Sequence, residues 1–168
     1  MRAEGGTATA ELAAVYDASY RRLVGLIAAA CGDRHEAEEV VQDAFVRLIG
    51  QWSSVSRYDN PEAWLRKVAL GLLSNRRRKC RNGVRALVRA DRPTSVPPPG
   101  AEAVDLERAL AALPAQQRIV VLLVHVVGLD LESAARELGV PTGTVKSRLS
   151  RARSALQPLL TEELTDHA

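Results

Sequence analysis

The 168-residue chain has few aromatic side chains: one Phe, two Trp and three Tyr. No stretch sustains a two-residue alternation of polar and apolar positions, so strands are not expected. Ala, Leu, Val and Arg are abundant instead, a composition that favours helices. Cysteine is nearly absent. Cys31 and Cys80 are far apart and outside any CxxC, and His35, His125 and His167 are scattered. This predicts two reduced thiols and no metal site. Long apolar runs are also missing. The most apolar segment, Ile119 to Leu131, is too short to span a bilayer and contains His125 and Asp130. The first residues, MRAEGGTATAEL, lack the apolar core of a signal peptide. No membrane insertion and a cytoplasmic location are therefore expected. There is no Gly-rich phosphate loop, no metal-ligand spacing and no nucleophile–base pairing, so neither a cofactor nor an enzyme is indicated.

The chain is instead rich in segregated charge. The net charge is only +3. Yet Asp33, Glu36, Glu38, Glu39 and Asp43 form an acidic stretch, and Arg76, Arg77, Arg78, Lys79, Arg81, Arg85, Arg89 and Arg92 a basic one. Such a division suggests two partners, one anionic and one carrying basic groups.

The most informative segment runs from Leu131 to Leu156, LESAARELGVPTGTVKSRLSRARSAL. Ala134, Ala135 and Leu138 give one short helix its apolar face, and Gly139 and Val140 turn the chain. Thr142 is placed to cap a second helix opening at Gly143, with Pro141 discouraging continuation of the first. Val145, Leu149, Ala152 and Leu156 recur at helical spacing, which leaves Lys146, Ser147, Ser150 and Arg151 on the opposite side. An apolar back with a small, basic, hydrogen-bonding front suits the major groove of DNA. Arg148 and Arg153 flank the apolar stripe, where a phosphate contact or an ion pair with Glu132 or Glu137 fits better than base reading. No acidic residue occurs from Thr142 to Leu160. The plainer alternative is a helical hairpin with a solvated basic face.

Five helices precede this segment, three of them before a linker. The first is expected from Ala10 to Cys31, burying Leu12, Val15, Tyr16, Leu23, Leu26 and Ile27 and ending at Gly32. Asp33, with Glu36 three residues on, predicts a capped second helix reaching Trp52. Its buried set is Val40, Val41, Ala44, Phe45, Leu48 and Ile49. Asn60-Pro61 starts a third, with Ala63, Trp64, Val68, Leu72 and Leu73 on its apolar side. Pro93, Pro97, Pro98, Pro99 and Gly100 mark an extended linker over residues 81–103. Two helices broken at Pro114 then lead into the helix-turn-helix. The expected architecture is all-α: a helical module over residues 10–80, the linker, and a second module over residues 104–160.

At these residues the chain resembles a bacterial RNA polymerase sigma factor of the extracytoplasmic function (ECF) type, within the sigma-70 superfamily. GDRHEAEEVVQDAFVRLIGQW resembles the core-polymerase-binding part of that family's second region. NPEAWLRKVALGLLSNRRRK resembles the helix that reads and opens the minus-ten promoter element. ALAALPAQQRIVVLLVHVVGLDLESAARELGVPTGTVKSRLSRARSAL resembles the fourth region, which reads the minus-thirty-five element.

The resemblance implies roles. Glu39, Gln42, Asp43 and Phe45 fall where the family docks on the clamp helices of the polymerase β′ subunit. Asn75, Arg76, Arg77, Arg78 and Lys79 fall at the minus-ten element. Thr142, Thr144, Lys146, Ser147, Arg148, Ser150 and Arg151 fall at the minus-thirty-five element, and the polymerase β flap is a further implied contact. Leu70, Gly71 and Asn75 stand where the family commonly carries Arg, Asn and Asp. The resemblance also implies an anti-sigma protein as a partner. The other class in view is a conventional regulator that dimerises on a palindromic operator without polymerase. In that reading the acidic second helix has no clear task.

Overall fold

The computed structural model describes residues 3–84 and 101–165, with side chains described over 7–80 and 106–158. The fold is all-α, with no strand among these residues. The chain divides into two compact units, Met1–Thr94 and Ser95–Ala168.

In the first unit, α1 (Ala3–Cys31) and α2 (Arg34–Val55) are separated by only Gly32 and Asp33. Gly32 has φ 78°, a left-handed conformation that ends α1 at little steric cost. Asp33 then accepts from the Glu36 N–H at 3.1 Å and caps α2. So tight a turn makes the pair antiparallel, and the ring contacts show it: Phe45 on α2 meets Tyr16 and Tyr20 of α1, well away from the turn. Asn60 caps α3 (Pro61–Val84) by accepting from the Ala63 N–H at 3.0 Å, with Pro61 at the first helical position. Arg22 reaches Glu62 and Arg77 reaches the Cys31 carbonyl, so α3 runs alongside α1 in the same direction.

The core of this unit is aliphatic. Leu23, Ile27, Val40, Val41, Leu48, Val55 and Leu65 are almost or wholly inaccessible. Each buried Leu or Ile contributes about 1.5–3 kcal/mol. Buried Ser19 spends its hydroxyl on the Val15 carbonyl one turn back, so it leaves no unpaired donor in this core.

Several expectations shift. α1 begins at Ala3 rather than Ala10, because weak helix formers at Gly5, Gly6, Thr7 and Thr9 disguise its start. Tyr16 is exposed, and α1 turns Val24 and Ala30 inward. Ile49, expected in the core, is 61% exposed. α2 runs on to Val55, which is buried in its place at the far end of the stripe. On α3 the buried line is Leu65, Ala69, Leu70 and Leu73. Ala63, Trp64, Val68 and Leu72 are only half-buried, one position off the expected line. α3 continues to Val84 and α4 (Ala101–Ala112) opens before residue 104, so both ends of the expected linker are helical. The intervening prolines lie outside the described residues.

In the second unit, Pro114 separates α4 from α5 (Ala115–Val121), as its position predicts. Its carbonyl accepts from the Gln117 and Arg118 N–H groups and starts α5. The Arg118 guanidinium reaches back to the Ala111 and Leu113 carbonyls at 2.9 and 3.0 Å, satisfying acceptors at the end of α4. α5 passes into a wide π turn over Leu122–Val126, with the Val127 N–H on the Leu122 carbonyl. This turn keeps Leu122 and Leu123 buried while His125 and Val126 face out. α6 (Leu131–Leu138) and α7 (Thr142–Thr165) complete the unit.

Leu48→Ala, at a site with 0% exposure, is expected to destabilise the first unit by about 2–5 kcal/mol. Ile49→Ala is expected to change it by less than about 0.5 kcal/mol. Both tryptophans, Trp52 and Trp64, lie in this unit. Urea unfolding followed by tryptophan fluorescence therefore reads the contrast directly.

Candidate functional site

The helix-turn-helix is held by its ends. Asp130 caps α6 twice, accepting from the Ser133 N–H at 2.7 Å and the Ser133 hydroxyl at 2.9 Å. The same hydroxyl accepts from Arg136. These hydrogen bonds, the backbone one first, hold the Asp130 carboxyl below the usual carboxylate range. At the other end Gly139 adopts φ 64° and ψ 36°, and the Gly139 and Val140 N–H groups both donate to the Ala135 carbonyl. That left-handed closure sends the chain off at a new angle within three residues. A side chain at Gly139 would be strained by its φ even though open space surrounds it.

Thr142 was expected to cap α7 but is its first helical residue. Pro141 takes the cap position, its carbonyl accepting from the Thr144 and Val145 N–H groups. The difference is one residue, and it comes from the fixed φ of proline suiting an extended approach to the helix.

Burial sets the rotation of α7. Val145 and Ala152 are fully buried and Leu149 nearly so, while Leu156 is half-buried. Lys146, Ser147, Ser150 and Arg151 are exposed on the far side, with Thr142, Thr144 and Arg148 half-buried at its edge. Ser147 and Ser154 bond back to the Thr144 and Ser150 carbonyls, and a lone pair of each hydroxyl oxygen remains to accept. Among the described residues no ion pair to a carboxylate is seen at Lys146, Arg148, Arg151 or Arg153. The surface is thus a row of cations and hydroxyls on a rigid helix, matched chemically to phosphates and base edges.

The first unit presents a different surface. Glu39, Gln42 and Asp43 lie exposed along α2, and Phe45 is 6% exposed. Beside them runs a mostly apolar groove of about 560 Å³ between α1 and α2, whose lining includes Leu12, Ala13, Tyr16, Phe45, Val46 and Ile49 together with Asp17 and Gln42. Val46 and Ile49 are 67% and 61% exposed, an unusual pair of large apolar side chains left in water. Sequence reasoning did not pick out the groove. The signal was an apolar stripe on α2 too wide for one buried face.

The basic end of α3 is distributed rather than uniform. Arg77 donates to the Cys31 carbonyl at 2.8 Å and closes the end of α1. Arg78 reaches Asn75 Oδ1 at 3.3 Å, and Lys79 is exposed. Arg76 turns to α2 instead and binds Glu39 at 2.7 Å and Asp43 at 2.6 Å. These two hydrogen bonds, Glu39 first, push the Arg76 guanidinium above its usual range. Residues drawn from the expected minus-ten and polymerase sets therefore meet in one cluster. Leu70 is buried, so this position serves packing, while Gly71 faces open space. Burial pushes the Cys31 thiol up, the reverse of an activated thiolate. Among the described residues no cluster of His, Cys, Asp and Glu could hold a metal, and no helix is long and apolar enough to cross a membrane.

Both surfaces coincide with known family regions. Residues 15–82 match sigma-70 region 2 and residues 103–156 match sigma-70 region 4. The chain is 33% identical over 178 residues to the ECF RNA polymerase sigma factor SigL of Mycobacterium tuberculosis, covering 96% of this chain and 97% of that protein. It is 33% identical over 133 residues to EcfG of Rhodopseudomonas palustris, covering 77% and 74%. Against SigE of Mycolicibacterium smegmatis it is 32% identical over 148 residues and covers 82% of this chain, but spans only 56% of that protein's length. A crystal structure of the sigma factor RpoE of Bartonella quintana with the anti-sigma factor NepR aligns with a TM-score of 0.74 at 29% identity, covering 91% of this chain and 96% of that one. The chain belongs to the ECF family of RNA polymerase sigma factors.

The lowered Asp130 carboxyl makes a pH prediction. A carboxyl whose folded pKa is depressed stabilises fully above the ordinary carboxylate range, and the contribution disappears as pH falls through the folded value. Asp130→Ala is expected to lower the thermal midpoint of the second unit near neutral pH, and the gap from the native protein should close on acidification. Circular dichroism melts read this, since tryptophan fluorescence reports only the first unit.

Proposed function

We propose that this protein binds core RNA polymerase and directs it to a particular class of promoters, in the cytoplasm and with no catalysis of its own. Residues 10–80 dock on the β′ clamp helices through Glu39, Gln42, Asp43 and Phe45, and hold the opened minus-ten strand near Asn75, Arg78 and Lys79. Residues 104–160 read the minus-thirty-five element through Thr142, Thr144, Lys146, Ser147, Arg148, Ser150 and Arg151 and meet the β flap. Residues 81–103 connect them. The observation that carries this reading is the pairing, within one chain, of an exposed basic helix in the region-4 match with an acidic, apolar-edged helix in the region-2 match.

The chemistry of each face supports its partner. A docking surface with exposed carboxylates beside exposed Val46 and Ile49 suits a basic partner with an apolar ridge, oriented by charge and held by burial. The α7 face suits duplex DNA. Likeness to a sigma factor solved with its anti-sigma factor supports regulation by a protein of that kind.

The pair Lys146→Ala with Arg151→Ala is expected to weaken promoter binding and to make its logarithmic salt slope shallower by about two, with core polymerase affinity unchanged. Charge reversal, Glu39→Lys with Asp43→Lys, is expected to weaken core polymerase binding by at least about tenfold and leave DNA contacts of α7 intact. Full-length variants titrated separately against core polymerase and duplex DNA check both. Loss of both activities from either pair, or loss of neither, contradicts the assignment.

A further inference from the structure

The two faces assigned to different partners in the first unit share one contact. Arg76 Nη1 donates to Glu39 Oε2 and Nη2 to Asp43 Oδ2, a single guanidinium fork spanning two carboxylates one turn apart on α2. His35 approaches the other Glu39 oxygen at 3.6 Å. The cluster is open to solvent: the Arg76 side chain is 34% exposed and the two acids about half exposed (50% and 51%). Packing of α2 on α3 does not need it, because Val40, Val41 and Ala44 on one helix and Leu65, Ala69 and Leu73 on the other are already buried. Arg77, by contrast, closes a helix end and has a structural task.

An exposed ion pair is weak and readily exchanged for another partner. In this clasp it occupies three groups at once: both carboxylates that would receive a basic partner, and a guanidinium on the helix that carries Arg78 and Lys79. We propose that Arg76 is an exchangeable latch that couples polymerase docking to DNA binding. In the free protein it pairs with both Glu39 and Asp43 and offsets one of their two negative charges. When basic side chains of the polymerase take those carboxylates, Arg76 is released to a phosphate of the promoter strand. By linkage, DNA that engages Arg76 must favour docking by the same factor that docking favours DNA. The latch rests on the reading of α2 as the polymerase face and of the end of α3 as a DNA face.

The test uses the full-length protein with Arg76→Ala and Arg76→Lys, after circular dichroism has shown native helicity. Affinity for core polymerase is measured first. Binding to a mixed-sequence forked DNA is then measured across salt, with and without core. Arg76→Ala should tighten core binding about threefold to tenfold, because competition for the carboxylates is gone. It should make the DNA salt slope shallower by about one only when core is present. Arg76→Lys, whose single ammonium cannot fork across both acids, should also tighten core binding but keep the native salt slope. Unchanged or weaker core binding by Arg76→Ala overturns the latch, as does a salt slope altered equally with and without core. The Glu39→Lys, Asp43→Lys pair separates the two levels. If it leaves core affinity unchanged, the docking reading itself fails. If it weakens core binding while Arg76→Ala does not tighten it, docking stands and the latch does not.

Discussion

The rotation of α7 about its own axis is the constraint on which the second unit depends. Val145, Leu149 and Ala152 are pressed into the unit, and at 100° per residue their burial leaves Lys146, Ser147, Ser150 and Arg151 nowhere to go but outward. A helix held only at its tip would present those side chains over a broad range of angles. Here the left-handed turn at Gly139 and the doubly bonded cap at Asp130 fix α6, and α6 in turn packs on α7. Groove recognition requires such rigidity, because base-edge hydrogen bonds tolerate little angular error.

The first unit solves a different problem with the same means. Its three helices bury an aliphatic core and still leave both charge and apolar area exposed. α2 does this by carrying an apolar stripe wider than its neighbours can cover, so that Val46 and Ile49 remain in water beside the α1–α2 groove. The acids Glu39 and Asp43 stand one turn apart on the same helix and would repel one another if left alone. Arg76 relieves that repulsion from α3. The two acids are thereby accommodated side by side on α2.

The parts of the fold legible in the sequence were those set by local chemistry. Gly32, Asp33, Asn60-Pro61, Pro114 and Gly139 each mark a helix end for a reason contained within a few residues, and the structure places an end at each. The outward face of α7 was legible too, because one clean apolar stripe leaves one possible front. Tertiary geometry was less so. The buried line of α3 falls one position from the expected one, since both lines contain apolar residues and only the packing against α1 and α2 chooses between them. Ile49 was misread for the same reason: hydrophobicity indicates what prefers burial, and the covering helix decides which residue receives it. The Arg76 clasp depends on the register between α2 and α3, which no single-helix pattern encodes. A run of four basic residues reads as one patch in sequence, yet in the structure Arg76, Arg77 and Arg78 each bond a different partner.

The central claim is that this chain gives RNA polymerase a promoter preference it does not otherwise have. The most direct measurement is transcription by purified core polymerase, with and without the protein, on a pool of promoter fragments from the genome that encodes it. Defined start sites that appear only on its addition, sharing sequence elements near minus-thirty-five and minus-ten, are the predicted result. No added transcripts and no association with core, together with sequence-specific duplex binding by the protein alone, would contradict the account and identify a conventional regulator.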